Sequence, residues 1–450
     1  MENIFRAYDI RGIIDKEINE KNVEKIGKAF GTFLNGKGTV VVSRDTRRKG
    51  EIFKDKLIEG ILSTGVDVLD IGLQCTPVLN FYCNLVNATA GAQITASHNP
   101  PEYSGIRFRK SDGTGFPEII PKIKEIFFSG KFLEGHGKVK RVNGDIPKKE
   151  YINYVLKKIK IENPLSVVID PGNGATSNFA KDMYERGGCK VIAINDEPNS
   201  EFSGRGPDPK PKMILDLGQE VRINNADLGV AFDGDGDRVA IVDDEGEPLS
   251  ADEIGCILIK EILNERKGNV VINVECSKSV EETVIENGGE VIYTRVGDAF
   301  LAGSIKENNA IFGMEASNHF TIPEIFPFDD GVLVGLFFAK MLSKKNIPLS
   351  EMRKKIPRYP KKMIKIECKD NLKFKVIENI KNKLKEKYKI IDIDGVRINL
   401  NGGWVLIRAS NTTPFIRLTI ESKTEKELGL LLDKFKVIIE DEIEKVIKND

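Results

Sequence analysis

Three times along this 450-residue chain the same order of elements recurs, and that recurrence limits the fold more than any other feature. The first copy runs from Val40–Val42 through a helix-like stretch to Gly65-Val-Asp-Val-Leu and on to Gly91-Ala-Gln-Ile-Thr-Ala. The second runs from Val167–Ile169 through Ala175–Arg186 to Gly188-Cys-Lys-Val-Ile and Asp227-Leu-Gly-Val-Ala-Phe. The third runs from Val270–Ile272 through Lys278–Asn287 to Gly289-Glu-Val-Ile-Tyr and Asn309-Ala-Ile-Phe-Gly. Short continuous apolar runs alternating with helices signal buried parallel strands joined by right-handed crossovers. The expected fold is therefore α/β: three structurally related α/β domains with mixed, mostly parallel sheets. The last part reads differently, with a lysine-rich helix at Leu372–Lys387, strand-like runs at Ile390–Ile393, Val396–Leu400, Trp404–Arg408 and Phe415–Glu421, and a long amphipathic helix from about Thr424 to Ile447. That pattern predicts a smaller C-terminal α+β domain. The expected boundaries are 1–145, 146–248, 249–356 and 357–450, with a linker near Pro357–Pro360 and a surface loop over Asp196–Pro211.

Composition excludes several classes. Lys+Arg and Asp+Glu are both 68, so no basic excess marks a nucleic-acid surface. The six cysteines form no C-x-x-C pair, which argues against a zinc site or a disulfide framework and for a reducing, cytoplasmic setting. No apolar run is long enough to span a membrane, and charges at Glu2, Arg6 and Asp9 leave no signal-peptide core. Oligomeric state is not fixed by the sequence; monomer and homodimer both fit.

The third strand of each repeat ends in an unusual loop, where ligands of open α/β sheets bind. Three such loops predict one cleft. Asp233, Asp235 and Asp237 alternate with glycine, so the chain can curl and turn three carboxylates to one point. Their mutual repulsion is relieved by a bound cation, and oxygen-only ligands favour Mg²⁺, Mn²⁺ or Ca²⁺. An EF-hand would need Gly and Glu where Arg238 and Asp244 stand. Ser97 lies in Thr95-Ala-Ser-His-Asn-Pro, without the G-x-S-x-G elbow of an α/β-hydrolase. Beside a metal loop its hydroxyl gains another reading, because a phosphoserine brings hard anionic oxygens. Glu315, Ser317 and His319 form a polar cluster suited to sugar hydroxyls. Arg408-Ala-Ser-Asn-Thr-Thr-Pro…Arg417 joins two guanidinium groups to turn amides, a phosphate-binding combination. Arg6, Arg11, Arg44, Arg47, Arg107 and Arg238 are further basic residues near these loops. Gly172-Asn-Gly174 lacks a nucleotide-loop pattern.

Tyr8-Asp-Ile-Arg-Gly12, Thr95-Ala-Ser-His-Asn-Pro100, Asp233-Gly-Asp-Gly-Asp-Arg238, Gly313-Met-Glu-Ala-Ser-Asn-His319 and Arg408-Ala-Ser-Asn-Thr-Thr-Pro414 occur in this order. Together they resemble the α-D-phosphohexomutase superfamily, over essentially the whole chain. The resemblance implies a phosphorylated Ser97, with Mg²⁺ held by that phosphate, Asp233, Asp235 and Asp237. It implies interconversion of hexose 6-phosphate and hexose 1-phosphate through a bound hexose 1,6-bisphosphate, which also serves as activator. Arg11 and Arg238 would stabilise the transferring phosphoryl group. Glu315, Ser317 and His319 would hold the sugar, and Arg408, Ser410, Asn411, Thr412 and Arg417 the other phosphate. Three positions depart from the family pattern. Arg107 replaces the usual lysine and is too basic to shuttle protons, leaving His98 and His319 as candidate bases. Asn318 replaces a glycine, and Thr413 replaces a glutamate. Asn411 and Phe328-Asp-Asp-Gly331 resemble the phosphomannomutase/phosphoglucomutase branch; the Arg107 region with Ser111-Asp-Gly113 resembles the phosphoglucosamine branch. The expectation is a mannose or glucose phosphate mutase. The alternatives are a phosphoglucosamine mutase, a metal-dependent sugar phosphatase and a non-catalytic sugar-phosphate binder.

Overall fold

The computed structural model describes residues 2–345, 347–410 and 414–448. The chain forms two compact units, residues 1–254 with 317–353, and residues 255–316 with 354–450. Among the described residues no helix is long and apolar enough to cross a membrane.

The first unit holds two sheets. In the larger, the strand order is Ile10–Ile13, Tyr103–Lys110, Ala90–Ile94, Thr39–Arg44, Asp67–Leu73 and Val139–Arg141. The last four run parallel, and the first two pair antiparallel. Val40, Val41 and Val42 are completely buried, as a strand covered on both faces requires. Helices Glu20–Phe33 and Gly50–Leu62 approach closely because Gly27 and Gly60 lack side chains. A Cβ on Gly60 would lie 2.1 Å from the Glu24 carbonyl oxygen. The second sheet runs Val239–Val242, Leu228–Phe232, Ser166–Asp170, Lys190–Ala193, antiparallel at the first pair and parallel beyond.

Two expectations are corrected here. The helix expected over Ala175–Arg186 is only Ala180–Gly187. The preceding residues turn instead, with Asn178 in the left-handed region and the Ala175 amide donating to the Gly234 carbonyl. The stretch Asp196–Pro211 is no mere surface loop, since Phe202 and Arg205 are buried within it. Arg205 Nε donates to Asp170 Oδ2 at 2.6 Å, and its Nη2 also reaches the Asp170 carbonyl.

Helix Gly331–Lys344 is capped by Asp330, which accepts the Leu333 amide at 2.9 Å and the Tyr151 hydroxyl at 2.6 Å. Burial pushes the Asp330 carboxyl up to about 7. The folded protein thus keeps this proton to higher pH than the unfolded chain, whose aspartates release theirs near 3.9. Stability contributed here is full below about pH 4 and falls as pH rises to about 7. Asp330→Asn keeps an oxygen for the cap and is expected to flatten that slope. Urea midpoints measured across this pH range for both proteins check it.

The second unit begins with the parallel strands Glu290–Thr294, Asn269–Asn273 and Phe312–Met314. It continues with a five-stranded antiparallel sheet in the order Lys361–Glu367, Phe415–Ser422, Gly403–Ala409, Val396–Leu400, Ile390–Ile391. Helices Lys373–Leu384 and Glu425–Lys448 cover this sheet, and Val376, Ile380, Phe435 and Ile439 enter its core. The edge strand Lys361–Glu367 carries no apolar run and is an element the sequence reading lacks.

Candidate active site

In the first unit, the strand Ala90–Ile94 delivers the serine loop and Leu228–Phe232 delivers the aspartate loop. Ser97 adopts φ 52°, and its hydroxyl donates to Asp233 Oδ2 at 2.8 Å. Ser97 Oγ also lies 3.3 Å from His98 Nδ1. Asp233, Asp235 and Asp237 are fully buried, and each offers an oxygen within 4.8 Å of the others. Gly236 allows the curl at φ 81°. The serine and the three carboxylates that the sequence associates are therefore one cluster.

Electrostatics in this cluster are divided. Burial, with Asp237 and Asp235 adding repulsion, pushes Asp233 well above the usual carboxylate range. Burial opposes ionisation of Asp237 too, but Arg107, His319 and Arg238 overcome it and hold that group well below the range. Arg107 Nη1 bridges Asp235, at 3.1 Å, and Asp237. Among the described residues, the Oδ1 atoms of Asp235 and Asp237 are buried and find no hydrogen-bond donor. Such atoms carry a desolvation cost that a divalent cation would remove. The donor set fits a hard cation with oxygen ligands.

The surrounding residues divide by place. Arg11 reaches the serine loop, donating to the Ala96 carbonyl at 3.0 Å and to Asn99 Oδ1 at 2.8 Å. The Arg238 amide donates to Asp233 Oδ1, and its Nε donates to His319 Nε2 at 3.3 Å. His319 Nδ1 lies 3.0 Å from Ser317 Oγ, while Nε2 is 3.5 Å from both Asp237 Oδ1 and Asp329 Oδ2. Asn318 takes φ 68°, a conformation asparagine tolerates better than most residues, so it can serve where the family pattern has glycine. Burial, reinforced by Arg238 and Arg11, drives the His98 imidazole far below its ordinary range, which makes it a weak proton acceptor. Arg44, by contrast, pairs with exposed Glu51.

In the second unit, Glu315 is buried at the end of the strand Phe312–Met314. Its Oε1 accepts the Gly297 amide at 2.6 Å and Asn273 Nδ2 at 3.1 Å. Arg408 and Arg417 stand directly opposite on neighbouring antiparallel strands. Like charges in that arrangement repel unless anions lie near. Glu275 and Asp394 supply them for Arg408, at 2.7 and 3.2 Å, and among the described residues the buried Nε of each arginine has no hydrogen-bond partner. The Ser410 amide donates to the Phe415 carbonyl, and buried Lys373 donates to the Ser410 carbonyl. Asn411, Thr412 and Thr413 lie outside the described residues.

Sequence reasoning missed Asp45, Thr76, Glu275, Asp394 and Lys373. Thr76 Oγ1 donates to Asp235 Oδ2 at 2.8 Å. Only the Asp-Thr-Arg run at 45–47, adjoining a buried strand, offered a signal for any of them.

Comparison with known proteins agrees with this assembly. Models of the phosphoglucomutase/phosphomannomutase α/β/α domains I, II and III match residues 2–134, 149–246 and 250–359, and the C-terminal domain model matches 363–436. The chain is 37% identical to a probable phosphoglucosamine mutase of Methanopyrus kandleri, over 99% of this chain and all of that one. It is 35% identical to a phosphoglucomutase/phosphomannomutase of Thermococcus kodakarensis, over 96% of this chain and 98% of that one. The crystal structure of a phosphoglucomutase/phosphomannomutase family protein from Burkholderia thailandensis superposes with a TM-score of 0.90, at 27% identity and 98% coverage of both chains. With its four domains matched in order and its serine bonded to one of three clustered buried carboxylates, the chain belongs to the phosphoglucomutase/phosphomannomutase family of the phosphohexomutase superfamily.

Proposed function

We propose that this protein interconverts glucosamine 6-phosphate and glucosamine 1-phosphate by way of a phosphorylated Ser97 and a bound hexosamine 1,6-bisphosphate. The observation that carries the reading is the 2.8 Å contact of Ser97 Oγ with Asp233 inside a fully buried carboxylate trio. Glucosamine is favoured over mannose and glucose by the Methanopyrus kandleri relative, whose name states that activity and which is aligned almost end to end. This places the alternative from the sequence ahead of its first expectation.

Phosphoryl transfer demands positioning and charge stabilisation more than covalent chemistry. Asp233, Asp235, Asp237 and the Ser97 phosphate would hold Mg²⁺, which supplies neutralisation of charge on the transferring group. Arg11 and Arg238 supply further positive charge beside the serine loop. His319, held by Ser317 and flanked by two carboxylates, is the better placed proton acceptor than His98. Arg107 anchors the aspartate loop as a fixed cation. In the second unit, Glu315 would orient sugar hydroxyls, while Arg408, Ser410, Asn411, Thr412 and Arg417 would bind the phosphate that is not transferred. Among the described residues the Nε–H groups of Arg408 and Arg417 have no hydrogen-bond partner, which supports that assignment.

A second reading, a mannose or glucose phosphate mutase, is favoured by Phe328-Asp-Asp-Gly331 and by the Thermococcus kodakarensis relative. One assay separates the readings. With Mg²⁺ and the matching bisphosphate, kcat/KM is expected to be at least about 10-fold higher for glucosamine 6-phosphate than for mannose or glucose 6-phosphate, as one polar contact can provide. A reversed order would establish the second reading. Release of inorganic phosphate without isomerised sugar would identify a phosphatase.

A further inference from the structure

We infer that Arg47 is a positioning residue that locks Ser97 in its reactive conformation; this rests on the proposed role of Ser97 in phosphoryl transfer. Arg47 is a buried guanidinium with no exposed side-chain surface. All five of its N–H donors are used. Nη2 donates to the carbonyls of Ser97 and Asn99, each at 2.6 Å. Nη1 donates to those of Pro100 at 2.8 Å and Tyr103 at 3.0 Å. Nε donates to Asp45 Oδ2 at 3.1 Å.

The same aspartate closes a ring around the serine. Asp45 Oδ2 accepts the Thr95 hydroxyl at 2.7 Å, and Thr95 Oγ1 accepts the Ser97 amide at 2.8 Å. Both peptide groups flanking the Ser97 Cα are therefore held by one connected network, the N–H through Thr95 and Asp45, the carbonyl through Arg47. The network has a physical task. Ser97 sits at φ 52°, a left-handed conformation that a serine does not favour by itself and that persists only when its surroundings impose it. From the other side, Gly234 of the aspartate loop packs against the same carbonyl, and a Cβ there would lie 2.6 Å from the Ser97 oxygen. The Phe202 ring lies 5.1 Å from the Arg47 guanidinium carbon and helps keep it from water. A lysine offers three donors from one atom and cannot span carbonyls from residue 97 to residue 103.

Arg47→Lys keeps the charge and removes the fork, which makes it the informative variant. Three measurements are taken on the full chain: kcat and KM with the preferred sugar phosphate, Ser97 phosphorylation by mass spectrometry after incubation with the bisphosphate, and amide hydrogen exchange over residues 95–103. The expected result is a kcat lower by about 100-fold, the scale of a nucleophile misplaced by an ångström, with KM within threefold, slower Ser97 phosphorylation and faster exchange in that segment. A kcat within threefold of the parent, or a loss confined to KM, would overturn the inference. Should Arg47→Lys fail to fold, Asp45→Asn decides: a kcat loss of about 10-fold or more at constant KM supports the lock, and an unchanged kcat rejects it. Should the parent protein show neither phosphoserine nor turnover on any of the three sugars, the proposed function fails. The lock is then judged on exchange alone, and unchanged exchange over 95–103 in both variants rejects it.

Discussion

Ser97→Ala is expected to lower turnover by about 10⁴-fold or more, the scale seen when a catalytic nucleophile is removed. Under the proposed chemistry the variant has no hydroxyl to carry a phosphoryl group, so both half-reactions would lose their common intermediate. Fold should survive. The serine makes one side-chain bond to a carboxylate, Oγ to Asp233 Oδ2, and the contacts of its peptide groups with Thr95 and Arg47 remain in alanine. Alanine at φ 52° is strained much as serine is, so the change in backbone energy is small. Intact mass after incubation with the bisphosphate should show a one-phosphate gain in the parent protein and none in the variant, with thermal midpoints within a few degrees. A variant that keeps a tenth of parental turnover would remove Ser97 from the chemistry.

Removing the divalent cation with a chelator, or replacing Asp235 by asparagine, is expected to reduce turnover on the order of 10³-fold, comparable with the loss of a strong electrostatic element from an active site. The two treatments part company on stability, which makes the pair diagnostic. Without a metal ion, Arg107 is the cation that bridges Asp235 and Asp237, while burial and the repulsion of those two carboxylates push Asp233 well above the normal range. Asp235→Asn removes one of those charges, keeps an oxygen for Thr76 and Arg107, and leaves Arg107 paired with Asp237, so in chelator the variant should unfold at the same temperature as the parent or a higher one. With Mg²⁺ present the order should invert, because the parent gains binding energy that the variant lacks. Calorimetry with and without Mg²⁺ reads both signs. Full turnover in chelator, or an Asp235→Asn protein as active as its parent, would defeat the cation assignment.

Much of this architecture is legible in the residues. Val40–Val42, Val167–Ile169 and Val270–Ile272 mark buried parallel strands because continuous apolar runs have no other stable place in an α/β layer. The aspartate loop is legible because three acids spaced by glycine make little physical sense unless they converge on a cation. The strand Lys361–Glu367 is not legible, since an edge strand needs burial on only part of one face, and here only Ile366 is buried. The helix at Ala180–Gly187 starts later than its pattern suggests because the residues before it bond to the aspartate loop, a contact between distant segments.

Local spacing could not disclose how the candidate residues are partnered. Arg47 and Arg44 look alike in sequence, yet one is buried against four backbone carbonyls and the other pairs with an exposed glutamate. Backbone acceptors leave no trace in residue type. Arg408 reads as a phosphate ligand, and nothing in its surroundings discloses that its Nη1 also pairs with Glu275, 133 residues away. The sequence determined which chemical groups are available and on which strand ends they sit, because periodicity and charge are properties of neighbouring residues. Only the tertiary structure decided which serine conformation is held, which carboxylates hold their protons more tightly and which arginines are already paired, because burial and pairing depend on segments that meet only once the chain has folded.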